Sequence, residues 1–292
     1  ALYQFARETD DQPLAAVTPQ AVATFLRGRG DLSATWTARY QLLAGLYRFA
    51  MARGHVSASA LPDQRPALPP SITPYVYSQA ELKRLLDATD VLESPCSRMQ
   101  APTYRALILT LYGSGLRVGE AVRLNLSDVD LAERVLTVHE TKFYKSRLVP
   151  LGEQLAAALA AYLKRRCCVA MPQGSNSAFF ASREGRRLNY PRVVTLFQRV
   201  RAHAGIGCPP GASRPPRLHD LRHTAAVHRV LTWYQQGHDV QQLLPKLATY
   251  LGHVSVASTQ RYLQMTPELL QAASMRFAAY AASVEDEVAE HA

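Results

Sequence analysis

Several side chains in this sequence are of the types that bind anions or move protons. Arg117 follows a glycine-containing segment and opens a predicted helix, where free backbone N–H groups and a forked guanidinium both attract phosphate. His219 and Arg222 are three residues apart near another predicted helix start, so they share one face. His253 stands where a helix should stop, and Tyr262 follows nine residues later. Taken singly, each also fits an ordinary structural role.

The segment HDLRH offers a competing chemistry. His219 and His223, at i and i+4 with an acid after the first, come close to the H-E-x-x-H zinc signature. The acid is Asp220, one methylene shorter than the Glu that acts as general base, and Arg222 places a permanent cation beside His223. Residues 224–234 contain no acidic third ligand. A zinc hydrolase is therefore disfavoured, and we predict no metal and no other cofactor.

The charge of the chain favours a polyanionic partner. There are 33 Lys and Arg against 23 Asp and Glu, a formal net charge of +10, and only five of the 33 are Lys. Arg binds phosphate through a planar fork that Lys lacks. Codon bias towards Arg and Ala is the competing explanation of this composition. We interpret the charge as indicating nucleic acid.

Hydropathy and cysteine usage argue against membrane and secreted proteins. The longest apolar run, residues 155–163, is far short of the roughly 20 residues that a membrane helix requires. The first residues are charged and lack a signal-peptide core. The four cysteines form neither a CxxC pair nor a disulfide framework, so we predict a cytoplasmic protein. Because no Met begins the chain, we expect a fragment that starts within a helix.

Helical periodicity dominates the chain. Thr18-Pro19 predicts a helix start, and Ser78 with Glu81 predicts a capping box. Residues 136–139 and 147–151 predict a hairpin with the tip TKFYKS, and residues 178–181 a short strand. Further helices are predicted at 21–27, 33–53, 102–112, 153–165, 191–203, 240–251 and 257–265, near 116, from 219, and after 267. The predicted fold class is mainly α with a small β hairpin.

Prolines indicate two domains. Five prolines fall within the fourteen residues LPDQRPALPPSITP, which cannot continue a helix and are typical of an extended linker. We predict a helical domain at residues 1–64, truncated at its start, a linker at 65–77 and a larger domain at 78–292. Residues 266–292 form the C-terminal helix and tail of the larger domain.

Five separated segments together resemble the tyrosine site-specific recombinases, the phage integrase family. They are GSGLRVGE at 113–120, TKFYKSRLVPL at 141–151, HDLRHT at 219–224, LGH at 251–253 and the tyrosine nine residues beyond that histidine. Their order and spacing match the family over about residues 102–264. Residues 1–60 resemble its core-binding domain only by helix pattern. The resemblance implies a two-domain, C-shaped clamp that closes around DNA.

The resemblance also implies roles for single residues. Tyr262 is the nucleophile, and Glu120 orients the first clamp arginine. The remaining implied catalytic residues are the phosphate clamp Arg117 and Arg222, the hairpin lysine Lys142, and the two histidine positions His219 and His253. This hairpin lacks the frequent Gly-Lys-Gly run, and Lys145 is available beside Lys142, which is chosen by counting back from Arg147. Candidate contacts to the DNA backbone are Lys145, Arg183, Arg186, Arg187 and Arg214.

The implied reaction is strand cleavage and rejoining through a 3′-phosphotyrosyl link, without metal or ATP. The implied partners are double-stranded DNA with specific sites and further copies of the chain in a tetramer, with the C-terminal helix reaching a neighbouring protomer. That helix could instead pack on its own domain. Two more functions are compatible with these residues: a type IB topoisomerase, which shares the nucleophile and the arginine pair, and a DNA-binding protein without catalysis.

Overall fold

A computed structural model describes most of the chain, in two compact units, residues Ala1–Ile72 and Thr73–Ala292. The described residues are 1–28, 32, 34–67, 74–93, 100–139, 146–169, 171–182, 184–252, 271 and 274. The division between the units falls inside the predicted linker. The expectation of a C-shaped clamp concerns how the units sit together and stays a prediction.

The described residues of the first unit form three helices around a small apolar core. They are α1 (Leu2–Glu8), α2 (Pro19–Arg27) and α3 (Ala34–Ala52), with a 3-10 turn at Leu14–Ala16. The Thr18 hydroxyl accepts a hydrogen bond from the Ala21 N–H, and proline occupies the first position of α2, as predicted. Phe25, Leu43 and Tyr47 are buried between the helices.

The second unit is also mainly helical. The helices among its residues up to 252 are α4 (Gln79–Asp87), α5 (Gln100–Ser114), α6 (Val118–Arg123), α7 (Glu153–Cys167), α8 (Tyr190–His203), α9 (Asp220–Gln235) and α10 (Val240–Leu251), with 3-10 turns at Ala88–Leu92 and Leu126–Asp128. The predicted capping box is present, since Ser78 and Glu81 each bond the other's backbone N–H. The apolar helix α5 packs against α7 and α9 at the centre of the core.

A three-stranded antiparallel sheet completes the second unit. The order is β1 (Val129–Asp130), β2 (Val135–Val138) and β3 (Arg147–Pro150), and Leu136 pairs with Val149. Leu136 and Val149 face the core, whereas Leu148 points to solvent. The predicted hairpin and the mainly α fold class are confirmed, and the two-residue β1 had not been predicted.

The strand predicted at residues 178–181 is wrong. Ala178 and Ala181 each form one isolated bridge, to Asn125 and Arg187, and no ladder develops. Phe179 and Phe180 between them are fully buried. The apolar composition therefore reflects core packing and not strand pairing. The predicted helices at 257–265 and after 267 lie outside the described residues, except for positions 271 and 274, which are helical.

Candidate active site

Arg117 is placed by a sharp turn between α5 and α6. Gly115 in this turn has φ +63°, a left-handed conformation that favours glycine. Arg117 then occupies the N-cap position of α6, and its backbone N–H donates to Oε2 of Glu120 at 3.0 Å. Its Nη1 donates to Oε1 of the same carboxylate at 2.8 Å. The side chain keeps 34% of its surface exposed, so the guanidinium stays open to a ligand.

Glu120 lies between two guanidiniums. Glu120 is 8% exposed, and its carboxylate accepts from Arg117 on one side and from Nη1 and Nη2 of Arg147 on the other, at 3.2 and 2.9 Å. Burial alone would raise the pKa of Glu120, but the hydrogen bonds from Arg147 and Arg117 outweigh it and lower the pKa to about 2. Glu120 is therefore ionised at neutral pH and orients Arg117, the role that the family resemblance implies.

This lowered pKa predicts a pH dependence of stability. A carboxylate whose folded pKa is about 2, against an ordinary 4.5, stabilises the fold above pH 4.5, and this contribution is lost as the pH falls towards 2. The expected loss is on the order of 3 kcal/mol. Urea unfolding of the wild type and of Glu120→Gln between pH 7 and pH 2 measures it. The variant should lack this part of the acid dependence, and equal slopes would contradict the assignment.

Arg222 is held in the interior by backbone carbonyls. It lies in the first turn of α9 and is only 2% exposed. Its Nη1 donates to the carbonyl of Gly115 at 2.6 Å, and its Nη2 donates to the carbonyl of Leu251. Arg222 therefore joins the turn before α6 to the end of α10, and its position is fixed before any substrate arrives.

Three arginines converge on the C-terminus of α10. The carbonyls of Tyr250, Leu251 and Gly252 accept from Arg147, Arg222 and Arg117 respectively. The last carbonyls of a helix lack partners within the helix and carry partial negative charge, so guanidiniums stabilise this end. Arg117 and Arg222, distant in sequence, thus meet at the residues that immediately precede His253.

His219 stands at the N-cap of α9, next to the clamp. Its side chain reaches solvent, while the surrounding protein partly desolvates the ring. This desolvation, together with the positive charge of Arg222, lowers the pKa of His219 below its ordinary value. A neutral imidazole at neutral pH can accept a proton, which suits a general base.

The zinc hypothesis does not fit the geometry around α9. Asp220 is buried and accepts from Nη2 of Arg217 at 2.9 Å and from the Arg217 backbone N–H at 2.7 Å. His223 is 2% exposed, and its burial lowers its pKa to about 4. Within the described parts of the chain, no three metal-ligating side chains converge.

Only some of the residues predicted to contact DNA are among those that the structure describes. Arg186 and Arg214 are exposed. Arg187 donates to the carbonyl of Val122 at 3.0 Å and to Oδ1 of Asn125 at 2.7 Å, so its guanidinium anchors the loop before α8 to α6. The predicted site residues that lie outside the described residues are Lys142, Lys145, Arg183, His253 and Tyr262.

Sequence reasoning missed Arg147 as a site residue and used it only to locate the hairpin lysine. The feature that could have identified Arg147 is its position in β3. Side chains two residues apart on a strand share a face, so Arg147 lies on the same inner face as the buried Val149. A guanidinium on an inner face requires a carboxylate or carbonyl partner, and Glu120 and the carbonyl of Tyr250 supply both.

Gly252 offers a test of this packing. Its φ is +69°, and a Cβ there would lie 2.8 Å from Nη1 of Arg147, which Glu120 holds in place. Gly205 has φ +66°, and no described atom lies within 4 Å of its Cβ position. Gly252→Ala and Gly205→Ala share a left-handed backbone cost of about 1–2 kcal/mol. In urea unfolding Gly252→Ala should lose about 1 kcal/mol or more beyond Gly205→Ala, and equal losses would show that Arg147 is not held tightly.

Comparison with known proteins identifies the family. The model of the phage integrase family matches residues 76–268. The chain is 41% identical over 232 residues to the putative integrase/recombinase y4rB of Sinorhizobium fredii, covering 74% of this chain and 72% of that protein. It is 30% identical over 265 residues to the tyrosine recombinase XerD of Bifidobacterium longum, covering 87% and 80%.

A solved structure shows the same fold. The lambda integrase tetramer bound to a Holliday junction matches with a TM-score of 0.60 at 20% identity, covering 89% of this chain and 70% of that one. The chain belongs to the phage integrase family, the tyrosine site-specific recombinases. The predicted class of enzyme is thereby confirmed, and neither the topoisomerase nor the zinc hydrolase is supported. Across the described parts of the chain, no helix is both long and apolar enough to cross a bilayer.

Proposed function

We propose that this recombinase cuts and rejoins DNA at specific sites through a covalent link to Tyr262. The observation that supports the proposal is the convergence of Arg117 and Arg222 on the carbonyls of Gly252 and Leu251. These carbonyls directly precede the segment that carries His253 and Tyr262. Two guanidiniums so placed can bind one phosphate beside that segment.

In the proposed cleavage step, the phenol oxygen of Tyr262 attacks the scissile phosphorus. The new bond joins Tyr262 to the 3′-phosphate, and the bond from phosphorus to the 5′-oxygen breaks. His219 accepts the phenol proton, Lys142 donates a proton to the departing 5′-oxygen, and His253 donates a hydrogen bond to the phosphate. A 5′-hydroxyl then reverses the step on the same or another strand. The phosphotyrosyl ester conserves the bond energy, so rejoining requires no ATP.

The proposed role of Arg117 and Arg222 is to stabilise the negative charge that develops during cleavage. A phenol has an ordinary pKa near 10 and is a weak nucleophile at neutral pH. Arg117 and Arg222 would stabilise both the phenolate and the negative charge on the phosphorane oxygens. Their bonds to protein carbonyls orient them in advance, and catalysis benefits most from donors that need no reorganisation.

The proposed partners are duplex DNA and further copies of this chain. The net charge of +10 suits a polyanion, and added salt should weaken the binding because it reduces the gain from releasing counterions. Assembly as a tetramer on two DNA sites, with residues 266–292 contacting a neighbouring protomer, would couple the active sites. The proposed place of action is the cytoplasm.

A covalent-trapping assay tests the proposal. Nicked duplexes from the DNA that flanks the gene encoding this chain are incubated with the protein, and covalent adducts are separated on denaturing gels. We expect adducts that resist SDS and EDTA and form at particular sequences. Relaxation of supercoiled DNA without site preference would instead favour a topoisomerase, and adducts that require added zinc or magnesium would contradict the mechanism.

A further inference from the structure

We propose that Arg147 is a positioning residue of this active site, which keeps Glu120 from neutralising the phosphate clamp and seats the end of α10. The inference rests on the proposed function, since its effect is on strand cleavage. Within the described parts of the chain, the side chain of Arg147 bonds Glu120 and the backbone of α10. It acts through Glu120 and Arg117 on one side, and through the backbone of α10 on the other.

The contacts of Arg147 join three segments of the second unit. Its side chain is 14% exposed and starts from the first residue of β3. Nη1 and Nη2 donate to the two oxygens of Glu120 in α6, and Nε donates to the carbonyl of Tyr250 at 3.2 Å. Gly252 lies so close to the guanidinium that a Cβ would be 2.9 Å from Cζ. All three nitrogens of the guanidinium are therefore engaged.

The electrostatic consequence concerns Arg117. One buried carboxylate is shared by two guanidiniums, which leaves a net positive charge at the cluster. Without Arg147, the whole charge of Glu120 would face Arg117, which would then form a neutral pair. A neutral pair attracts phosphate less and is held in a geometry set by the carboxylate. Arg147 thus preserves the charge with which Arg117 can bind the substrate.

The chain position of Arg147 adds a mechanical consequence. It lies five residues after Lys142, the proposed proton donor, and begins β3 directly after the hairpin tip. Its bonds to Glu120 and to the carbonyl of Tyr250 fix the start of β3 against α6 and α10. Loss of Arg147 would remove one of the three arginines that hold the end of α10 and would free the start of β3.

Single-turnover adduct formation on a nicked duplex, at saturating protein, tests the proposal. The variants are Arg147→Met, Arg147→Lys, Glu120→Gln and the double variant Arg147→Met with Glu120→Gln. Arg165→Met removes an exposed arginine of α7 and is the charge-matched control. DNA affinity and thermal unfolding are measured for each protein. If Arg147→Met does not fold, Arg147→Lys is used in its place to measure the effect on the cleavage rate.

We expect Arg147→Met to lower the cleavage rate at least about tenfold with little change in DNA affinity, and Arg147→Lys to recover part of the rate. The double variant should be faster than Arg147→Met alone, because Gln cannot neutralise Arg117. The inference is overturned if the rate losses of the two single variants multiply in the double variant, or if Arg147→Met cleaves at the wild-type rate. Absence of adducts with the wild type would instead overturn the proposed function.

Discussion

Tyr262→Phe is expected to bind the recombination site as the wild type does and to form no covalent adduct with it. The substitution removes only the hydroxyl oxygen that becomes bonded to phosphorus, so contacts elsewhere on the DNA are retained. Loss of a catalytic nucleophile lowers rates by more than about 10⁴-fold. Adducts on denaturing gels measure the covalent step, and gel shifts at low salt measure binding.

Tyr190 provides the matched control for this substitution. It is an exposed tyrosine at the start of α8 and is not one of the proposed catalytic residues. Tyr190→Phe should form adducts at the wild-type rate. If adducts survive in Tyr262→Phe, another residue is the nucleophile, and mass spectrometry of the protein–nucleotide link would identify it.

Arg222→Gln is expected to slow adduct formation by about 100- to 1,000-fold. Gln lacks the forked donor that would stabilise charge on the phosphorane. It also leaves the carbonyls of Gly115 and Leu251 without their buried donor, which should cost about 1–3 kcal/mol of folding stability. The rate is therefore measured at a temperature where urea unfolding shows the variant to be fully folded.

Two further variants separate charge from geometry at this position. Arg222→Lys keeps the positive charge but cannot donate to both carbonyls in a fixed plane, so it should also be slow. Arg229→Gln changes an exposed arginine two turns further along α9 and should leave the rate unchanged. Equal rates for Arg222→Lys and the wild type would mean that position 222 contributes charge alone.

Local patterns predicted much of the fold and part of the site. The capping residues Thr18 and Ser78 marked helix starts because their side chains bond nearby N–H groups. The family resemblance implied that Glu120 orients Arg117, three residues before it, and the structure shows the two side chains bonded. These features depend on residues close in sequence, which is why the sequence alone contains them.

The parts that the sequence did not predict depend on distant backbone groups. Residues 178–181 have the composition of a strand, but among the described residues they form only two isolated bridges. The sequence alone does not show that Arg147 faces the interior, because its orientation follows from the pairing of β3 with β2. The three arginines at the end of α10 bind backbone carbonyl oxygens. Every residue has such an oxygen, so no pattern of side-chain types indicates these contacts.

That choice of acceptor affects how the site tolerates change over evolution. Main-chain oxygens at positions 250 and 251 persist whatever side chains stand there, so the anchoring of Arg147 and Arg222 places no chemical demand on those two residue types. Positions 115 and 252 take part in this anchoring with left-handed backbones, and these two are restricted to glycine. Covariation between homologous sequences would therefore detect the bond between Arg147 and Glu120. It would not detect the bonds by which the arginines are anchored to the backbone of α10.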